Sequence, residues 1–191
     1  MVWSKLKQNL ESFLCPELVG RVEYRATSYH YLPDKLGRCY ITVDKNEVLN
    51  MSDTNALIRC YQTEQEIKNN PHIDIPITEE DINEVRRDSF NQIPEDRLKV
   101  VARNRKISTY AKELLEAQAI LLRSDFYDAA KRFLTMPIDD CLKSNEILLN
   151  IFALVDRRVG KRRLMNLEEQ MSLKHPIVQY FYKLRIDSLG L

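Results

Sequence analysis

Strand-forming patterns are concentrated between residues 22 and 50, and this placement restricts the folds available to the chain. The run 22–31 is rich in β-branched and aromatic residues. After the turn-rich residues 33–37, Cys39, Ile41 and Val43 alternate with more polar residues, which is the period of a half-buried strand. A second turn at 44–46 precedes the short run 47–50. The sequence therefore predicts a three-stranded antiparallel meander.

Helical spacing flanks this meander on both sides. Residues 2–14 place their large apolar side chains at intervals of three and four, which predicts an opening helix. Ser52 or Asp53 is positioned to cap a helix that runs to about residue 70. Beyond residue 77 we predict helices at 78–91, 95–104, 107–123, 125–135, 138–143, 145–158, 161–171 and 176–187. These assignments give an α+β protein, with an N-terminal helix, a meander and a helix followed by a mostly α-helical half.

Two prolines mark the expected boundary between the halves. Pro71 and Pro76 prevent regular helix in the short segment that they enclose. We therefore divide the chain into an α-β-β-β-α unit at 1–70, an extended connection at 71–77 and a helical half at 78–191.

Composition excludes several classes of protein. The 191 residues are 44% apolar, which is enough for a substantial core, and their 29 basic and 28 acidic residues nearly balance. A balanced charge removes the general attraction of a strongly basic nucleic-acid binder, so any such contact must be local. The start of the chain lacks the apolar core of a secretory signal, no apolar run reaches membrane-spanning length, and the four cysteines are widely spaced. We expect a cytoplasmic protein without a cofactor, a metal site or a membrane segment.

One local cluster carries unusual charge. Five basic residues follow the apolar run 147–155 within eight positions: Arg157, Arg158, Lys161, Arg162 and Arg163. Such convergence suits an anionic ligand or an acidic partner. The alternative is structural: Gly160 would end a helix in a left-handed conformation, and the cations would offset the helix dipole and pair with Asp156.

The leading hypothesis is a non-catalytic interaction protein that docks an unknown anionic ligand or acidic protein on these five residues. The first alternative is an enzyme acting on a phosphorylated or carboxylated small molecule. In that case the same cations hold the substrate, and a carboxylate or His72 serves as acid-base in a shared pocket.

The second alternative is a nucleic-acid-binding module. The order helix, three strands, helix in residues 1–70 matches a double-stranded RNA-binding domain, which holds phosphates with lysines at the start of its second helix. Here residues 51–59 contain one basic side chain, Arg59, and one acidic side chain, Asp53. Nucleic acid is therefore not favoured as a partner.

Other polar residues give weaker signals. His72 and Asp74 lie two apart in an extended segment, so both should project from the same side, but a third metal ligand is lacking. Glu80 and Glu84 fit the acidic first turn of a helix. His175 precedes Pro176 and is expected to cap the last helix. His30 is expected to be a surface or half-buried ring.

Both ends of the chain resemble a family of uncharacterised bacterial proteins. The resemblance is carried by residues 3–7 and 14–24 near the start, and by 156–164, 175–178 and 181–185 near the end. It implies a bacterial cytosolic protein of α+β form. It supplies no activity, cofactor or catalytic residue.

Overall fold

The structure is a computed structural model that describes residues 2–29 and 36–190. Its strands are β1 (Val22–Ser28), β2 (Gly37–Val43) and β3 (Asn46–Ser52). Its helices are α1 (Trp3–Ser12), α2 (Asp53–Asn69), α3 (Glu79–Asp88), α4 (Glu95–Glu116), α5 (Arg123–Phe133), α6 (Ile138–Lys143), α7 (Ile147–Leu154), α8 (Lys161–Met165), α9 (Glu168–Ser172) and α10 (Pro176–Ser188), with a short 3-10 helix at Pro16–Leu18. The predicted α+β class is confirmed, including the N-terminal helix and the mostly helical remainder.

The sheet is the predicted antiparallel meander, in the order β1-β2-β3. Val22 pairs with Val43 and Ser28 with Gly37, and a bulge interrupts the β2–β3 register between Ile41 and Thr42. The first strand ends at Ser28, before the predicted residue 31. His30, Tyr31 and the first three residues of the predicted turn at 33–37 lie outside the described residues.

A two-residue turn joins β2 to β3. Asp44 and Lys45 have φ angles of 49° and 68°, the left-handed values that a primed hairpin turn requires. Arg21 donates two hydrogen bonds to the Asp44 carboxylate, at 2.9 and 2.8 Å. The turn chemistry expected at 44–46 is therefore present.

The chain forms two compact units. The first comprises residues 1–56 and 118–191, and the second comprises 57–117. The predicted connection at 71–77 lies inside the second unit, and the C-terminal helices belong to the first unit together with the sheet. Compactness does not measure independent folding, so the division at residues 70 and 78 stays a prediction.

The first unit is built around an aromatic core. Tyr24 of β1 contacts Phe126 of α5 and Phe152 of α7, with ring centroids 6.1 and 5.7 Å apart. Phe152 also contacts Phe133 at 5.5 Å. Every residue of α7 after Ile147 is buried, including Asn150, whose amide donates to the carbonyls of residues 141 and 144 at the end of α6. The apolar run that precedes the basic cluster is therefore the centre of this core.

The second unit has two smaller apolar clusters. One centres on Ile67, Ile107 and Ala111, and the other on Val85, Leu98 and Ala102. Residues 71 and 72 form a turn, in which the Ile73 N–H donates to the Asn70 carbonyl at 3.2 Å, and no helix forms at 73–78. The isoleucines at 73, 75 and 77 are half-buried, and the residues between them are exposed. The extended connection at 71–77 stays a prediction.

The predicted boundaries around α4, α8 and α9 need correction. The expected break between 104 and 107 is absent, because α4 contains neither Gly nor Pro and its stripe Ala102, Ile107, Ala111 is buried throughout. The predicted helix to 123 ends at 116, and Ala119 has a left-handed φ of 58°. The predicted helix 161–171 is two short helices, and the Leu164 carbonyl between them accepts a hydrogen bond from the Tyr182 hydroxyl at 3.0 Å.

Candidate functional site

The basic cluster lies on the segment between α7 and α8 and on α8 itself. Its backbone is tied to the chain just after α1. The Cys15 N–H donates to the Val155 carbonyl at 2.9 Å, and the Arg157 N–H donates to the Phe13 carbonyl at 2.8 Å. These bonds end α7 at residue 154, four residues before the predicted end at 158, because they take backbone groups that a longer helix would use. The cluster therefore begins on an anchored backbone.

Arg158 is bound to a buried acid of the same segment. Asp156 is fully buried, and the Arg158 Nε lies 3.1 and 3.0 Å from its two carboxylate oxygens, with Nη2 at 2.7 Å from Oδ2. The hydrogen bond to Asp156 is the main cause that raises the pKa of Arg158. The guanidinium carbon also lies 4.3 Å from the centroid of the Phe13 ring. The predicted pairing with Asp156 is confirmed for Arg158, so this residue is not a free cation.

The other four cations differ in their surroundings. The Arg163 guanidinium lies 3.3 Å from the Asp139 carboxylate in a solvent-exposed pair. Arg157, Lys161 and Arg162 are exposed, and their side chains form no hydrogen bond or ion pair with any residue of 2–29 or 36–190. Three positive charges are therefore left uncompensated by the described chain.

Gly160 does not have the predicted conformation. Its φ and ψ are −81° and 165°, and it precedes the first residue of α8 as the N-cap. The left-handed helix end expected at this position is wrong, because the chain leaves α7 earlier through the backbone bonds to residues 13 and 15. Lys161 and Arg162 consequently lie in the first turn of a helix, where positive charge gains no stabilisation from the helix dipole.

A buried arginine supports the cluster from α10. Arg185 is 4% exposed, and its Nη1 donates to the Glu17 carboxylate at 3.0 Å while Nη2 lies 3.4 Å from the Val159 carbonyl. This residue was not among the site residues predicted from the sequence. Val178, Phe181 and Arg185 form one buried stripe of α10 at helical spacing. In the sequence, a cation that continues an apolar stripe of a helix indicates a buried ion pair.

A second buried acid lies at the start of α2. Asp53 accepts hydrogen bonds from the Gly37 N–H at 2.9 Å and the Arg123 N–H at 3.0 Å. The Arg123 side chain adds an ion pair to Asp53 at 3.3 Å and a bond to the Ser28 hydroxyl at 3.1 Å. The residue that caps α2 is Ser52, whose hydroxyl oxygen lies 3.5 Å from the backbone nitrogen of residue 55. Asp53 therefore joins α2, β2 and α5, and both of its carboxylate oxygens have partners within the chain.

His72 and Asp74 lie on the segment that joins α2 to α3. Both are exposed, and both line a cleft along α4 together with Lys106 and Glu113. None of the five cluster residues lines this cleft. The hypothesis of an enzyme that uses the cluster and His72 together stays a prediction.

The remaining predicted positions have local roles. Glu80 lies in the acidic first turn of α3, which Thr78 and Asp81 cap reciprocally, and Glu84 is exposed one turn later. The Nδ1 of His175 accepts the Ile177 N–H at 3.1 Å, so the predicted cap of the last helix is confirmed. Burial lowers the pKa of His175.

The N-terminal elements have the order of a double-stranded RNA-binding domain but a different packing. α1 packs on β1, and α5, which lies outside residues 1–70, packs on β2 and β3. From residue 53 to 59, α2 contains one basic residue, Arg59. The acidic residue at its start, Asp53, is buried. The start of α2 therefore lacks the lysine cluster with which such domains contact phosphates.

Comparison with known proteins identifies the family. No helix within the described residues is both long and apolar enough to cross a membrane. No curated protein and no solved structure matches the chain. Residues 2–186, nearly the whole sequence, match the SF0329 protein family. The resemblance seen at both ends therefore extends through the middle, and the chain belongs to the SF0329 protein family.

Proposed function

We propose that this protein is a non-catalytic interaction protein that docks an anionic or acidic partner on Arg157, Lys161 and Arg162. The observation that carries the proposal is that these side chains are exposed and unpaired within the described chain, on a segment anchored by the Arg158–Asp156 pair. A fixed backbone reduces the conformational freedom that binding must remove, so held cations recognise a partner better than flexible ones.

Two cluster residues have different roles in this proposal. Arg158 holds the segment in place through Asp156 and does not contact the partner. Arg163 can exchange its ion pair with Asp139 for one with the partner. The present pair is exposed, and such pairs contribute only about 0.2–1 kcal/mol to stability. A carboxylate of the partner replaces that of Asp139.

A neighbouring apolar side chain favours an acidic protein over a free small anion. Met165 is 56% exposed, and it follows Arg162 by three residues and Lys161 by four on α8. Residues at these spacings share one helix face. The surface therefore offers cations beside an apolar contact, which suits a segment that carries both carboxylates and an apolar side chain.

Fluorescence anisotropy with a labelled peptide of alternating Glu and Leu tests the proposal. We expect saturable binding that weakens as salt is raised, because the attraction is between exposed charges. Replacing Arg157, Lys161 and Arg162 together by Gln should weaken binding about tenfold, the sum of three exposed ion pairs of about 0.5 kcal/mol each.

A matched variant on α4 controls for total charge. Arg97, Lys99 and Arg103 are also exposed cations of the same types and number, and their replacement by Gln removes the same charge elsewhere. We expect less than a twofold change in peptide binding for this variant. Equal weakening by the two triple variants, or binding insensitive to salt, would show that no specific docking surface exists at the cluster.

A further inference from the structure

The second unit contains a cleft of about 640 Å³ where residues 72–76 run beside α4. Its lining combines His72, Asp74 and Ile75 of the segment 72–76 with Lys106, Tyr110 and Glu113 of α4. All of these residues belong to the second unit, and none of the basic-cluster residues lines the cleft. The cleft therefore has both charged and apolar side chains in its lining.

The charges in the cleft do not cancel. The Lys106 ammonium is already engaged, at 2.8 Å from an Asp81 carboxylate oxygen and 2.8 Å from the Pro76 carbonyl. The hydrogen bond from Lys106 is the main cause that lowers the pKa of Asp81 to about 2, so this pair is ionised at neutral pH. The carboxylates of Asp74 and Glu113 have no hydrogen bond or ion pair within the described residues. The cleft therefore carries two uncompensated negative charges.

The rest of the lining suits an organic cation better than a metal ion. Ile73 and Ile75 provide an apolar wall, packed against the cluster of Ile107 and Ala111. Tyr110 is 38% exposed and offers a ring face, to which ammonium and guanidinium groups are attracted. In the described chain, no three side chains of His, Cys, Asp and Glu are grouped as metal ligands.

We propose that this cleft binds an ammonium or guanidinium group carried on an aliphatic stem, with Asp74 and Glu113 receiving the charge. The stem lies along the isoleucine wall, and the ring of Tyr110 covers the head group. The backbone N–H groups of Asp74 and Ile75 donate no hydrogen bond within the described residues, so they are available to an extended chain. A lysine or arginine of a peptide and a free alkyl amine present the same chemistry.

Titration of the full chain with two probes separates these sources. One probe is a short blocked peptide with a central arginine, and the other is 1,4-diaminobutane. Amide chemical shifts are followed by NMR, and we expect saturable changes at residues 72–76 and 106–113. If both probes bind, the cleft recognises the cationic head group whatever carries it. If only the peptide binds, the ligand is a peptide side chain, and if only 1,4-diaminobutane binds, it is a free amine. Absence of saturable binding by either probe overturns the proposal.

Paired charge variants test the specific residues. Replacing Asp74 by Asn and Glu113 by Gln should weaken the binding probe about tenfold, at about threefold for each exposed ion pair. The control replaces Glu84 by Gln and Asp96 by Asn, two exposed acids of α3 and α4 that do not line the cleft. Less than a twofold change is expected for the control. Equal losses in the two variants, with circular dichroism unchanged, would overturn the proposal by assigning binding to overall charge.

Discussion

Arg158 shows why the residue type matters at a single position. Its planar guanidinium forms parallel bonds to both oxygens of Asp156 and lies against the Phe13 ring. A lysine has neither the fork for two oxygens nor the flat surface for a ring, so it would leave part of a fully buried carboxylate unsatisfied. The most charged stretch of the sequence therefore contains one residue that belongs to the core.

Replacing Arg158 by Met should destabilise the protein, because the buried Asp156 carboxylate then keeps only its backbone hydrogen bond. Removing one partner of a buried pair costs about 3–5 kcal/mol, and we expect about 2–3 kcal/mol here because the Arg158 side chain is 40% exposed. The free energy of unfolding from urea titration measures this. Adding Asp156→Asn to Arg158→Met should recover part of the loss. An Arg158→Met protein as stable as the wild type would contradict an anchoring role.

The hairpin between β2 and β3 shows how an element tolerates a residue that is unfavourable locally. Its turn needs two left-handed residues, and Asp44 suits the first position because short polar side chains enter this region readily. Lys45 in the second position does not, and glycine is the residue usually found there. The strand register and the Arg21–Asp44 bonds hold the turn in spite of this cost.

Lys45→Gly should therefore stabilise the protein. Relief of the left-handed strain contributes about 1–2 kcal/mol, and the greater freedom of glycine in the unfolded chain offsets part of it, leaving about 0.5–1 kcal/mol. Thermal unfolding measures the change. Lys45→Ala serves as the control, since it removes the same side chain but keeps the Cβ that causes the strain. A comparable gain from Ala would place the effect in the lysine charge instead of the backbone.

At the scale of the whole molecule, the two units differ in how much apolar surface they bury. The first contains one continuous core with the interlocked rings of Tyr24, Phe126 and Phe152. The second has two small clusters with no buried aromatic ring among the described residues. Local opening costs less free energy where fewer apolar contacts are lost.

Hydrogen exchange should therefore distinguish the units. We expect the opening free energy measured for the amides of α4 to be lower than that for the amides of β2 and α7. The latter two elements lie in or beside the aromatic core. Mass spectrometry of deuterated peptides from these three elements provides the comparison. Equal opening free energies would mean that the two units unfold as one cooperative block.

Local spacing and turn chemistry determined much of what the sequence revealed. Alternation at Cys39, Ile41 and Val43 set the central strand, and the intervals of three and four set α1, because the side-chain period of each structure is visible without tertiary information. The same reasoning found the five-residue basic cluster. It did not distinguish its members, since charge and spacing alone do not show which side chain meets a buried acid.

Only the tertiary structure decided the rest. The end of α7 and the conformation of Gly160 depend on backbone partners at residues 13–15. Arg185 pairs with Glu17 from the opposite end of the chain. Such long-range contacts override local preference, because burying an unpaired polar group costs more than ending a helix early. Sequence periodicity therefore sets the elements, whereas contacts between distant residues set where they end and which charges stay free.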